Sequence, residues 1–332
     1  MPRRLNPTPA AVNAFQRALP RWYRRHKRDL PWRRTRDPYK IWVSEIMLQQ
    51  TRVDVVKDYY RRWLQAFPTI ASLARARYSR VLKMWEGLGY YQRAKNLHRA
   101  ARTARRSVPT SYAELQKLPG IGRYTAAAIA SIAFGERVPV VDGNVARVLA
   151  RVFCIRDNIR QPGTLAKLFA LAESLMPAAA PGDFNQAMME LGALVCTPAR
   201  PRCGQCPLRR VCRGRARADE LPNRGARPRS VPVTETAAWV CRESKILLRR
   251  RPRTGLLAGM WELPALDETN FRPGKQLLVI RHTIMNRRLT LRVVACGLRG
   301  AAPADDRWVS RRELSRLALP AAQRRAVEAI RF

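Results

Sequence analysis

Apolar residues recur at the helical period through the first two thirds of the chain. Ile41, Val43, Ile46 and Met47 form one set and Val145, Val148, Leu149 and Val152 another, a spacing that puts apolar side chains on one helix face. Proline and glycine punctuate the run, at Pro31, Pro38, Pro68, Gly87, Gly89, Pro109, Pro119–Gly122, Pro139, Pro162, Pro177 and Pro181 among others, so residues 12–196 read as short helices joined by tight turns. The first helix is expected over Val12–Lys27, and Ser111 with Glu114 reads as a capping box ahead of Pro119. The pattern changes after residue 212. Residues 213–232 are rich in Arg, Pro and Gly and poor in apolar side chains, as in a basic linker. Beyond it Ala237–Cys241, Ile246–Arg249, Gln276–Ile280 and Leu289–Ala295 read as strands, and Pro320–Phe332 returns to a helical pattern. There is no internal repeat.

Charge narrows the function classes. The 332 residues include 64 Lys and Arg against 24 Asp and Glu, a net charge of +40. That excess speaks against an ordinary metabolic enzyme and for a polyanionic partner, nucleic acid before an anionic membrane surface. A hydrophobic content of 46% excludes a disordered basic tail. The longest apolar stretch, Tyr124–Phe134, is interrupted by Thr125 and Ser131, so no membrane span is expected. The N-terminus carries no acid before Asp29 and faintly suggests a transit peptide, but a basic first helix containing Trp22 and Tyr23 explains the same residues. A cytoplasmic, nucleoid-associated protein is expected.

Four of the seven cysteines, Cys196, Cys203, Cys206 and Cys212, fall within 17 residues with spacing C-x6-C-x2-C-x5-C. This is a metal-site pattern for a reducing compartment rather than a disulfide framework. A zinc ribbon usually shows two C-x2-C knuckles and this segment has one, so the spacing favours a [4Fe–4S] cluster over zinc or unligated thiols. Arg200, Arg202, Arg209, Arg210 and Arg213 interleave with the cysteines, so a clipped loop there would also face phosphates.

Leu118-Pro119-Gly120-Ile121-Gly122 joins two helical patterns. Gly120 and Gly122 allow close backbone approach, and the helix that follows offers free N–H groups to a phosphate. Most such turns merely connect helices, and Asp142 in Val140-Val141-Asp142-Gly143-Asn144 would by itself read as a helix N-cap.

Taken in order, the hairpin, the V-D-G-N-V segment and the cysteine cluster resemble the endonuclease III superfamily of DNA glycosylases. Leu30-Pro31-Trp32-Arg33, Trp42–Thr51, Gly87-Leu88-Gly89-Tyr90-Tyr91 and Phe184-Asn185-Gln186-Ala187 narrow the resemblance to its MutY-type adenine glycosylase branch. The likeness is strong over about 13–212. It is weaker over 233–332, where Gly255–Pro264 resembles the branch's MutT-like (Nudix-like) C-terminal domain.

The implied architecture is a mainly α helix–hairpin–helix glycosylase with a [4Fe–4S] loop, followed by an α+β MutT-like lesion-recognition domain. The helical catalytic region would occupy 1–212, with a six-helix barrel near 29–136 and a cluster domain from 1–28 and 137–212. The linker 213–232 and the second domain 233–332 would follow. The implied activity is base flipping and hydrolysis of the N-glycosidic bond of adenine opposite 8-oxoguanine or guanine in duplex DNA, by a monomer. Such chemistry needs two carboxylates. Glu45, set among Val43, Ile46, Met47 and Leu48, would be buried with a raised pKa. By resemblance it protonates adenine N7 and later assists water, Asp142 steadies or traps the oxocarbenium ion, and Tyr124 and Asn144 orient both. Arg33 and Gln186 would bind the flipped adenine. Gln50, Thr51 and Tyr90, with Leu48 nearby, would fill the gap and touch the opposite purine. One of Tyr90 and Tyr91 is expected in the core beside Trp85.

Three departures matter. Where endonuclease III-like enzymes carry a Schiff-base lysine, this chain has Tyr124, which implies a monofunctional glycosylase. No acidic REx2Ex2-like helix follows Glu262, and Asp267 and Glu268 fall in a turn-like segment, so no nucleotide hydrolysis is expected. The branch's Phe-Ser-His loop is replaced in His282–Arg288 by Ile284-Met285-Asn286, which changes how the lesion would be read. The alternatives are a pyrimidine glycosylase/lyase, disfavoured by Tyr124, and a non-catalytic iron–sulfur DNA-binding protein, disfavoured by the pairing of Glu45 with Asp142.

Overall fold

A computed structural model describes residues 6–226, 229–267 and 269–330. Glu268, residues 227–228 of the expected linker and the last two residues of the expected C-terminal helix lie outside them.

The helices run in chain order as α1 (Pro9–Asn13), α2 (Leu19–His26), α3 (Pro38–Leu48), α4 (Val53–Ala66), α5 (Ile70–Arg75), α6 (Tyr78–Trp85), α7 (Gln92–Ala104), α8 (Tyr112–Leu115), α9 (Arg123–Phe134), α10 (Gly143–Val152), α11 (Pro162–Leu175) and α12 (Pro181–Leu194). The strands are β1 (Val231–Trp239), β2 (Cys241–Arg242), β3 (Lys245–Arg250), β4 (Trp261–Glu262), β5 (Phe271–Ile284), β6 (Arg287–Leu298) and β7 (Asp306–Ser310). Two last helices follow, α13 (Arg311–Leu314) and α14 (Ala321–Ala329).

The first helix starts earlier than expected because Thr8 caps it, its hydroxyl accepting from Ala11 N. It is also interrupted by a π-turn over Ala14–Ala18. Pro20 has no N–H to give to the residue four before it, and the wider turn takes up that break. The Ser111 hydroxyl accepts from Glu114 N as expected, but the helix it opens is only one turn long.

The chain divides into two compact units. The first comprises Met1–Tyr60, Thr69–Ala71 and Ala100–Arg227. One of its cores joins Phe15, Leu19 and Trp22 to Val145, Val148 and Leu149 of α10, Leu168 and Leu171 of α11, and Phe184, Met188 and Leu191 of α12. Cys196, Cys206, Val211 and Cys212 pack against this core. Elsewhere α9 lies against α3 and α12. Its Ala126, Ala127, Ala128 and Ala130 are fully buried and small, which lets both neighbours come close.

The stretch after Cys212 differs from the expected linker. Ala218 and Leu221 are buried, Leu221 O accepts from Arg151 Nε at 2.8 Å, and Ile159 N donates to Asn223 O at 3.0 Å. Its few apolar side chains find seats on the helical unit, which composition alone does not reveal.

The second unit comprises Arg61–Pro68, Ser72–Arg99 and Pro228–Phe332. One sheet has the order β1-β6-β5, with β1 parallel and β5 antiparallel to β6. In the other, β3 pairs with β2, β4 and β7, all antiparallel. Residues 72–99 group here because polar ties hold them. Lys95 Nζ reaches Arg253 O, Glu86 reaches Arg324, and Gly259 packs on Tyr78 and Leu82. Between β4 and β5 the described residues form no helix, and Asp267 uses its carboxylate to close a turn on Asn270 N.

At Gly182 a Cβ would stand 2.5 Å from Ser131 O and 2.8 Å from the Ile132 Cα, both backbone atoms of α9. Gly182→Ala is therefore expected to destabilise the protein by about 1–3 kcal/mol through overpacking. Urea unfolding against the parent chain measures it, and an unchanged midpoint would show that α12 can shift freely.

Candidate active site

The site is assembled where the ends of three helices meet inside the first unit. Asp37 caps α3, its carboxylate accepting from Tyr39 N and Lys40 N, and α3 then carries Glu45 into the interior, where the residue is 5% exposed. Tyr124 lies in the first turn of α9, just after the Gly120–Gly122 hairpin, and donates its hydroxyl to Glu45 Oε2 at 2.6 Å. Gly120 is left-handed (φ 77°), whereas Gly122 is the extended N-cap of α9. Gln49 Nε2 donates to Thr125 Oγ1 at 3.2 Å, fastening the end of α3 to the start of α9.

Asp142 is the N-cap of α10. One oxygen accepts from Asn144 N (2.9 Å) and Val145 N (2.7 Å), and the other from Asn144 Nδ2 (2.9 Å). Asn144 is itself held by Arg147 Nη2 at 2.8 Å, and Arg147 also donates to the carbonyls of Gly192 and Cys196. Asp142 therefore caps α10 while its charge acts on Glu45.

Glu45 titrates in the field of Asp142. Burial pushes Glu45 up to about 7, with the Asp142 charge adding to the rise and the Tyr124 hydroxyl and Arg33 opposing it. Burial also raises Asp142, against the pull of the Val145 and Asn144 hydrogen bonds.

Glu190 was not anticipated from the sequence. It is buried on α12 and takes Arg33 in a fork–fork pair, both contacts at 2.8 Å, and Arg28 at 2.7–3.0 Å. Burial alone would raise its pKa, but those two guanidiniums hold it at about 2. Arg33 also lies over the Tyr23 ring at 5.5 Å. Its guanidinium is thus built into an ion-pair network rather than left loose for a ligand. The available signal was a single acid in the apolar run Met188-Met189-Glu190-Leu191, which must find a cation if buried.

The Phe184-Asn185-Gln186-Ala187 segment divides its labour. Asn185 is buried, accepting from Val140 N and donating to Ser131 Oγ and Val138 O, which ties the segment before Asp142 to α12 and α9. Gln186 is half-buried. Leu48 and Thr51 are also half-buried, and Gln50 is exposed with φ 56°. In the second unit Tyr91 is in the core, its hydroxyl accepting from Gly87 N, while Tyr90 is 43% exposed with φ 47°.

Cys196, Cys203, Cys206 and Cys212 line one pocket with Val148, Leu191 and Arg151. Arg151 is buried, and its guanidinium donates to Thr197 O, Pro198 O and Cys196 Sγ. Among the described residues no three His, Cys, Asp or Glu side chains are gathered closely enough to grip a single metal ion.

This geometry matches a class known from elsewhere. The family model described as HhH-GPD superfamily base excision DNA repair protein matches residues 43–173, and a NUDIX domain model matches 236–329. The solved structure of a thermostable thymine-DNA glycosylase is similar at 30% identity and TM-score 0.57, covering 63% of this chain and 98% of that one. An endonuclease III–DNA covalent intermediate shares the fold at 22% identity and TM-score 0.52, over 61% and 96% of the two chains. The chain is thus a base-excision repair protein of the helix–hairpin–helix class with a Nudix-like C-terminal domain. Within that class the human adenine DNA glycosylase is 37% identical over 95% of this chain and 74% of its own length. The chain belongs to the adenine DNA glycosylase family. Among the described residues no helix is long and apolar enough to cross a membrane.

Because the folded-state pKa of Glu45, about 7, lies above its ordinary 4.5, the folded state retains a proton that the unfolded chain releases. Stability is full below about pH 4.5 and declines as pH rises toward 7. Glu45→Gln should remove that decline, raising stability at pH 8 relative to pH 5 by up to about 2–3 kcal/mol. Denaturant titrations at the two pH values measure it, and equal slopes in parent and variant would show that Glu45 is not held neutral.

Proposed function

We propose that the protein releases adenine paired with 8-oxoguanine or guanine in duplex DNA and leaves an intact abasic site. The observation that carries this reading is the buried Tyr124–Glu45 hydrogen bond, with Glu45 near neutrality and Asp142 in its field. A carboxyl at about 7 is half protonated at working pH, which suits a group that both gives and takes a proton.

The steps follow from these residues. The adenine is turned out of the stack into the helical unit, with Gln186 on its amide-pairing edge and Arg33, fixed by Glu190, beside it. Glu45 passes its proton to N7, the C1′–N9 bond breaks, and the electron pair leaves with the neutral base. The positive charge left on the deoxyribose faces Asp142, whose carboxylate Asn144 orients. Water then attacks C1′ and returns a proton to Glu45.

Tyr124 speaks against the lyase alternative. A phenol cannot form a Schiff base, and here it is buried as the donor to Glu45. Outside the site, the Gly120–Gly122 hairpin and the amide groups of α9 would hold a phosphate. Gln50 and Thr51 of the first unit, beside Leu48 in the chain, would reach toward the space the adenine leaves, and Tyr90 of the second unit would insert into the duplex. The β5–β6 turn, where Met285 is 69% exposed, would face the opposite base in the second unit. Asn286 would supply a polar side chain there.

The four cysteines fit a [4Fe–4S] centre better than zinc. They line one pocket, and their C-x6-C-x2-C-x5-C spacing has one C-x2-C knuckle where a zinc ribbon usually has two. The cluster would clip the Arg-bearing loop 196–213 into a rigid phosphate-facing surface.

Glu45→Gln and Asp142→Asn should each slow adenine release by at least about 10²–10⁴-fold with duplex binding retained, since Asn can still cap α10. Single-turnover excision alongside a gel-shift titration measures both, and near-parental release by either variant would overturn the assignment. Borohydride treatment during turnover should trap no robust protein–DNA adduct; a strong adduct band would point to a lyase.

A further inference from the structure

Glu86 belongs to none of the motifs above. It is the first residue after α6 and opens the loop that presents Tyr90. That loop is closely determined. Gly87, Gly89 and Tyr90 all have positive φ (96°, 71° and 47°). Trp85 Nε1 donates to Gly89 O, and Arg93 donates to Leu88 O and Gly89 O while its guanidinium lies 5.4 Å from the Tyr90 ring centre.

The Glu86 carboxylate points the other way, into the strand-built part of the same unit. Oε1 accepts from Arg324 Nε at 2.7 Å and from Leu319 N at 3.3 Å, and Oε2 accepts from Lys83 Nζ at 2.6 Å. Lys83 and Arg324 both also donate to Leu317 O. The turn between α13 and α14 is therefore gripped from both sides. The Glu86 and Arg324 side chains are only 14% and 18% exposed, so the pair is largely shielded from the screening that weakens surface pairs. From there the connection continues: α14 packs on β5, Arg325 Nη2 donates to Arg281 O, and β5 ends at the exposed Met285 turn.

We propose that Glu86 is a positioning residue that joins the α13–α14 turn to the base of the Tyr90 loop, so that reading the base opposite adenine and inserting Tyr90 act as one step. This rests on the excision reading above. A bridge that served stability alone could stand anywhere along α6. This one stands at the single residue between the helix and the left-handed loop, and its partners lie on the helix that backs the β5–β6 hairpin.

The test uses the full-length holoprotein, with Glu86→Gln, Arg324→Gln, their double variant and Tyr90→Ala. Glu86→Gln keeps an acceptor for Leu319 N, and Arg324→Gln approaches the bridge from the other partner. Two quantities are read: the single-turnover rate of adenine release opposite 8-oxoguanine relative to guanine, and the fluorescence of 2-aminopurine beside the opposite base in the bound duplex. Either single variant is expected to lower the rate ratio about tenfold. The double should be no worse than the singles, and the fluorescence should move to the Tyr90→Ala value. An unchanged ratio, as when both rates fall together through instability, would overturn the proposal, as would parental fluorescence. Should the parent protein itself show no preference for 8-oxoguanine, the lesion reading falls, and the fluorescence still decides whether Glu86 sets Tyr90.

Discussion

The first unit is organised around a carboxyl that water would otherwise keep ionised. Glu45 is buried on α3, and its carboxyl accepts a hydrogen bond from the Tyr124 hydroxyl in the first turn of α9. Burying a lone carboxylate is costly, and the cost is met by protonation rather than by a full counter-charge. Arg33, whose charge acts on Glu45, is already neutralised by Glu190. An arginine free to bind Glu45 would have produced an ordinary low-pKa ion pair. The Glu190 network therefore keeps Arg33 in the site and limits its pull on the acid.

Such a pocket requires helices closer together than large side chains permit. The alanines of α9 admit α3 on one flank, and Gly182 admits α12 on the other. Gly192 does the same beneath Asn144, where a Cβ would stand 2.6 Å from the Asn144 Cβ. Its carbonyl also accepts from Arg147, which holds the Asn144 side chain. The small residues thus fix the height of α12 relative to α10, and with it the direction from which Asn144 orients Asp142.

The helical period, the four cysteines and the carboxyl pair were legible because each leaves a local mark: spacing, composition, or an acid inside an apolar run. The strands of the second unit were legible from alternation, though β1 begins at Val231 and β5 reaches Phe271, well outside the apolar stretches that announced them. Tyr90 and Tyr91 could be separated only as one inside and one outside, and the structure buries Tyr91 and leaves Tyr90 exposed. Glu190, Arg147 and Glu86 were not legible, because the arginine partners of the two acids lie 157 to 238 positions away and Arg147 is held by carbonyls that sequence does not display. The seating of Leu221 failed for the same reason.

The residues expected to do chemistry and those expected to reach DNA are held in different ways. Glu45, Tyr124, Asp142 and Asn144 sit in or beside regular helices, with hydrogen bonds that fix each rotamer. Gln50, Tyr90 and Met285 sit in left-handed backbone (φ 56°, 47° and 56°) and are exposed. A non-glycine residue there costs roughly 1–2 kcal/mol and persists only where its surroundings leave no alternative. The loop around Tyr90 shows how that is done: Trp85, Tyr91 and Arg93 bind its backbone from within. A side chain that must enter a base stack is better borne on such a fixed, strained support than on a free loop. A free loop would lose its conformational entropy on contact with the duplex, whereas here that ordering is already complete when the protein folds.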